Sequence, residues 1–161
     1  MLVKGVQGVP CFEQTEYAKK VSKYCVLIPI INEGERIRKE LGQALDSGIP
    51  NVADVIICDG GSKDGSTEEE KLRNLGVNTL LVKQDIGKQG AQLRMGIYFA
   101  LQRGYEGIIT IDGNNKDSIE DIPRFIEKLE AGYDLIQGSR FIKGGKTINT
   151  PLMRYLSVRF L

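Results

Sequence analysis

Short apolar runs of strand length recur along this chain, at residues 26–31, 55–58, 79–82, 108–111 and 135–136, with helix-like stretches between them. The first reads VLIPII and leaves no polar face. A strand that is apolar on both sides must be covered on both sides. Strands of that kind alternating with helices predict an α/β fold: a Rossmann-like, mostly parallel sheet with helices on both faces. Ile119, Ile122, Phe125, Ile126 and Leu129 recur at three- and four-residue steps, which predicts a helix over 119–129 with Ser118 as its cap. A second helix is expected over 89–102, closed by Gly104. Ser66 and Glu69 have the spacing of a capping box, opening a third that ends near Gly76. A fourth is expected over 35–45. Residues 1–24 are mixed in character, with a short helix over 16–22 the one element expected. They read as an N-terminal extension to a domain spanning 25–161.

The length of 161 residues suits one domain with a real core. A net charge of +1 and the lack of any long basic run argue against nucleic acid as a partner. The chain has three cysteines, without C-x-x-C spacing, and no histidine, so a zinc site is not expected. Cys25 and Cys58 lie in apolar runs and read as buried thiols, and an odd count fits a reducing, cytoplasmic compartment. No stretch approaches the ~20 apolar residues of a membrane span. Any membrane contact by these residues is therefore expected to be peripheral, at the cytoplasmic face.

In open α/β sheets, ligands bind where loops leave the carboxyl ends of strands. Four such loops carry polar chemistry. The first runs Ile31, Asn32, Glu33, Gly34, Glu35; a helix cap explains its residue types but not Pro29 in the strand before it. The second, Asp59 to Ser66, holds two acids and three glycines, suited either to close approach of a ligand or to a tight turn. The third, Asp112 to Asp117, comes after a buried strand and offers Asp112 and Asn114 as converging oxygens for a hard cation such as Mg²⁺ or Mn²⁺. An Asx-rich turn is its plain structural alternative. An EF-hand fails there, because Asp117 stands where glycine is required and Pro123 at the twelfth position. The fourth, Gly138 to Thr147, mixes basic and hydroxyl groups with glycines and suits a phosphate, although it does not complete a P-loop.

Taken in order, these segments resemble the family 2 glycosyltransferases of GT-A fold, and most of all the branch of dolichol-phosphate mannose synthases and polyprenyl-phosphate glycosyltransferases. Pro29, Asn32 and Glu33 match the family's Pro-x-x-Asn-Glu strand end. Asp59, Gly61, Ser62, Asp64, Gly65 and Ser66 match its nucleotide loop, and Gly87, Lys88 and Gly90 its Gly-Lys-x-Gly segment. Asp112 matches the first acid of the family's metal motif, and the run from Glu120 to Pro123 its later Glu-Asp-Ile-Pro segment. Gly138, Ser139, Arg140, Gly144 and Gly145, then Arg154 and Ser157, match the late basic segments. The resemblance runs from about Cys25 to Leu161. Gly60 and Asn114 depart from it, each standing where the family often has a second acid, and the chain stops where the family continues toward acceptor-site residues.

The resemblance implies inverting transfer of a sugar from a nucleoside diphosphate sugar to an acceptor, with a polyprenyl phosphate lipid as the expected acceptor. It implies that Pro29, Asn32, Glu33, Asp59 and Lys88 bind the nucleotide. Asp112 with Asn114 would hold Mg²⁺ or Mn²⁺, and Asp112 and Arg140 would form the catalytic centre. Ser139, Arg140, Arg154 and Ser157 would bind acceptor or phosphate. The lack of histidine fits a lipid phosphate, which is already anionic and needs no general base, better than a sugar hydroxyl. Two other classes stay open. A nucleotidyltransferase would carry a glycine-rich basic loop where Asn32 and Glu33 stand. A nucleotide-binding module without catalysis is kept open by Asn114 and the short chain.

Overall fold

The computed structural model of the chain describes residues 1–139. Six strands form one sheet in the order β1-β2-β5-β4-β3-β6. They are β1 (Leu2–Val3), β2 (Phe12–Glu16), β3 (Tyr24–Ile30), β4 (Asp54–Asp59), β5 (Val77–Lys83) and β6 (Gly107–Thr110). β5, β4, β3 and β6 run parallel, and β2 pairs antiparallel with β5 at one edge. The helices are α1 (Glu35–Asp46), α2 (Glu69–Asn74), α3 (Gln89–Gln102) and α4 (Ile122–Glu130). This is the α/β architecture that the apolar strands predict.

The two-residue period of a strand divides the core in two. Val26, Ile28 and Ile30 of β3 face one way and pack with Ile37, Leu41 and Ala44 of α1, Leu72 of α2 and Ile122 of α4. Cys25 and Leu27 face the other way and pack with Met95, Phe99 and Ala100 of α3. Both faces of β3 are thus covered, which is why its sequence carries no polar alternation. The two central cysteines are buried thiols, as expected, and burial pushes Cys25 up to about 12 and Cys58 higher still.

α3 comes close to the sheet at Gly96. A Cβ there would fall 2.6 Å from Cys58 Sγ and 3.0 Å from Leu27 Cδ1. Gly96→Val is expected to destabilise the fold by about 2 kcal/mol through overpacking, although glycine itself costs a helix interior ~1 kcal/mol. A lower urea midpoint at unchanged slope is the expected signature. An unchanged midpoint would mean that α3 moves outward without cost.

Four local expectations are corrected. Residues 16–22 are not helical: Glu16 ends β2, and Tyr17 N and Ala18 N donate to Asn78 O at 2.8 and 3.3 Å. Pairing with β5 overrides the local preference. β1 and β2 join the same sheet as the later strands. Residues 135–136 form no strand, and Leu135 is 88% exposed. Ser66 caps nothing: α2 starts at Glu69 with no side-chain cap, because the Ser66 hydroxyl is engaged elsewhere, and Ser118 likewise forms no side-chain cap. α3 does end before Gly104, whose φ of +66° closes the helix.

Candidate functional site

β3 has β4 on one side and β6 on the other, so the strand order reverses at β3. That makes the carboxyl ends of β3 and β6 the switch point of the sheet, where chains leave in divergent directions and a crevice opens. Asn32 and Glu33 leave β3 there, and Asp112 leaves β6 there. Topology alone brings the first and third polar loops to one place.

Pro29 is explained by the same geometry. Its neighbour on the same side of the strand, Leu27, accepts from Ile111 N at 3.2 Å, and the β3–β6 ladder ends at Leu27. Pro29 lies beyond that ladder, on the β6 side, so its missing N–H breaks no sheet bond.

The first and second loops are laced together. Asn32, in the left-handed region at φ +52°, donates its N–H to Ser62 Oγ at 2.8 Å. Asn32 Oδ1 accepts from Lys63 N at 2.9 Å. Gly34 N donates to Ser66 Oγ at 2.8 Å, and Ser66 Oγ donates to Asp64 Oδ1 at 2.5 Å. Asp64 is held below the usual carboxylate range, first by that hydroxyl. Asp59 is 1% exposed, and its carboxylate accepts from Gly61 N at 2.8 Å, Ser62 N at 2.9 Å and Ser62 Oγ at 2.5 Å. Its visible work is therefore to fold the loop from within. Glu33 stays close to the helix start, with Arg36 Nε 2.9 Å from its Oε2 outside hydrogen-bonding geometry.

The third loop sits down on the end of β3. A Cβ on Gly113 would fall 2.5 Å from Ile30 Cγ2 and 3.0 Å from Ile28 Cγ2, so glycine lets this backbone approach the strand. Asp112 is partly exposed, and its Oδ1 accepts from Gln89 Nε2 at 2.5 Å. Asn114 Oδ1 accepts from Lys116 N at 3.1 Å, the Asx turn that was the structural alternative for this loop. Among the described residues no three His, Cys, Asp or Glu side chains gather as a metal cage. One carboxylate with a nearby amide oxygen instead suits a Mg²⁺-like ion whose other ligands are substrate phosphates and water.

Lys88 is exposed and immediately precedes α3. Ser139 is exposed and ends the described chain, next to Gly138, which lies close to Phe125 of α4. Arg140, Arg154 and Ser157 lie outside the described residues.

Two glutamines and one acid at this site escape the motif reading. Gln89 reaches Asp112. Gln92, 4% exposed, donates to Ile30 O at 2.5 Å and Cys58 O at 2.9 Å, pinning the ends of β3 and β4. A Cβ on Gly60 would stand 3.0 Å from Gln92 Nε2, so the second acid missing from the second loop is matched by a side chain filling that space. Glu40 of α1 is fully buried beneath the third loop. A polar residue within an otherwise apolar helix face was the available signal for Gln92 and Glu40.

A family model described as glycosyl transferase family 2 matches residues 25–159. The chain belongs to this family. Its six-stranded, mostly parallel sheet is consistent with the family's GT-A fold. It is 32% identical over 131 residues to an undecaprenyl-phosphate mannosyltransferase of Micrococcus luteus, covering 80% of this chain and 52% of that protein. It is 27% identical over 157 residues to a polyprenol monophosphomannose synthase of Mycolicibacterium smegmatis, covering 96% of this chain and 58% of that one. A dolichol-phosphate mannosyltransferase of Pyrococcus furiosus is 27% identical over 140 residues, covering 83% of this chain and 38% of the relative. The chain thus spans about half the length of the first two relatives. No helix among the described residues is long and apolar enough to cross a membrane.

Proposed function

We propose that the protein is a metal-dependent inverting glycosyltransferase that moves a sugar from a nucleoside diphosphate sugar to a polyprenyl phosphate. The observation that carries this is the convergence of the Asn32–Glu33 loop and the Asp112 loop at the switch point of the sheet. The relatives' names support the acceptor class. In this reading the paired first and second loops receive the nucleoside, with Asn32 and Glu33 at its edge and Asp59 holding the loop in shape. Asp112, with Asn114 beside it, holds Mg²⁺ or Mn²⁺ against the diphosphate. The ion offsets the charge that builds on the departing nucleoside diphosphate. Lys88 adds positive charge near the start of α3, whose free N–H groups also favour phosphate. Arg140, Ser139, Arg154 and Ser157 are assigned to phosphate groups of donor and acceptor. A lipid phosphate attacks as an anion, so no side chain has to remove a proton. The protein meets the membrane peripherally, at its cytoplasmic face.

Binding to the folded state raises its stability, by ~2.7 kcal/mol at a hundredfold excess over Kd. A thermal-shift series of UDP, GDP, CDP and ADP with Mn²⁺ is therefore expected to contain at least one stabiliser. No shift with any of them at millimolar concentration would sink the donor reading. The acceptor is tested with the longest form of the protein, labelled sugar nucleotide and undecaprenyl or dolichyl phosphate, then lipid extraction. Label in a soluble sugar or protein and none in the lipid would overturn the acceptor assignment. A second reading, a nucleotide-binding module without catalysis, is favoured by Asn114, whose oxygen is engaged in its own turn. Nucleotide binding without transfer to any fraction of a lipid extract would establish it.

A further inference from the structure

α1 turns one face to the core, through Ile37, Leu41 and Ala44, and Glu40 lies among them with no exposed surface. A buried carboxyl group costs free energy unless it is fully partnered. This one is not. Glu40 Oε2 accepts from Asn115 N at 2.8 Å, while Oε1 has no hydrogen-bond partner among the described residues. Burial, more than the nearby Asp117, Asp112 and Glu33, pushes the group up to about 7. An apolar residue would serve the helix better, so the contact with the loop is what accounts for an acid here. Asn115 is one of two described non-glycine residues at positive φ, at +56°, so the turn after Asp112 holds an uncommon conformation at the residue that Glu40 grips.

We propose that Glu40 is a positioning residue of the donor site: by holding the backbone at Asn115 it sets the direction in which Asp112 and Asn114 face the diphosphate. The inference rests on the donor-site reading above. Glu40 touches neither metal nor nucleotide. It acts through the loop, as residues behind metal ligands commonly do. Oε2 is the atom in contact with the loop, and the helix fixes where that atom stands.

The test uses the whole chain, with Mn²⁺ titrated against whichever of UDP, GDP, CDP or ADP stabilises it. Glu40→Leu is expected to need about tenfold more Mn²⁺ for half-maximal thermal shift, in the range found for residues behind metal ligands. Its ligand-free melting temperature is expected to equal or exceed that of the unaltered protein, since a buried acid has been removed. Amide exchange at Asn115 is expected to speed up in the same variant. Glu40→Gln keeps an oxygen for Asn115 N–H and is expected to stay within about threefold of the unaltered protein, a rescue that filling the same volume with Leu cannot give. Glu40→Met carries the same expectation as Glu40→Leu and replaces it if that variant does not fold. Mn²⁺ dependence unchanged in Glu40→Leu or Glu40→Met, while Asp112→Asn weakens it about a hundredfold, overturns the inference and leaves the donor site standing. Absence of Mn²⁺-dependent nucleotide binding in the unaltered protein overturns both.

Discussion

Asp112→Asn is expected to weaken Mn²⁺-dependent nucleotide binding about a hundredfold, roughly 2.7 kcal/mol, whereas Asn114→Ala weakens it less than about tenfold. The difference lies in the chemistry of the two side chains. Asp112 is the only charged member of the pair, and a hard cation gains most from a full negative charge. Asn114 offers a neutral oxygen that already accepts from Lys116 N. Its loss costs the turn more than the ion. The substitution at Asp112 is also conservative in shape, because asparagine retains an oxygen that can accept from Gln89 Nε2, the present partner of Asp112 Oδ1. The loop should therefore keep its place while its charge disappears. Titration of Mn²⁺ at fixed nucleotide, read by calorimetry, measures both variants. Equal effects, or a larger one at Asn114, would show that the ion is held elsewhere, with Asp117 the next candidate.

How much of this was legible in the sequence depends on the range of the interaction involved. β3 and β4 announce themselves because strands buried on both faces must be apolar throughout, and Val26 to Ile30 and Val55 to Cys58 are. α3 is readable to its last residue, since Gly104 ends it by local backbone chemistry. β2 was not readable. Phe12–Glu16 is a strand because β5 offers it an edge, and nothing within FEQTE requires that. The site divides along the same line. Asp59, Asp112 and Asn32 were found as types, at strand ends, by position and by resemblance. Their bonding partners were not. Ser66 looked like a cap because the spacing to Glu69 is right, yet its hydroxyl donates to Asp64 within its own loop and accepts from Gly34 N across the gap to the first loop. Gln92 and Glu40 carry no motif. Their importance lies in contacts with Ile30, Cys58 and Asn115, far away in sequence, which only the folded chain brings near.

Asp59→Ala is expected to be the most damaging single change in the loop after β4, costing about 3 kcal/mol of stability, toward the upper end of single-residue effects. Asp59 takes three donors at once: Gly61 N, Ser62 N and Ser62 Oγ. Alanine removes all the acceptors and leaves the donors at a buried strand end. Water reaches the exposed Gly61 and moderates the loss there, but Ser62 is only partly accessible. Asp59→Asn is nearly isosteric, yet its amide group turns an N–H₂ donor toward backbone N–H donors. It is expected to cost about 2 kcal/mol, because one acceptor is lost and a donor is left facing donors. The damage should not stop at the loop. Ser62 Oγ, oriented by Asp59, is also the acceptor for Asn32 N, so loosening it frees the loop after β3 as well. Urea unfolding gives the stability of each variant, and calorimetry with the stabilising nucleotide gives the affinity. Both are expected to fall in the order unaltered protein, Asp59→Asn, Asp59→Ala. If stability drops while nucleotide affinity stays level, the loop is scaffolding for the fold and the nucleoside binds elsewhere. If affinity drops while stability holds, Asp59 meets the ligand directly and the inward bonds are exchanged for it on binding.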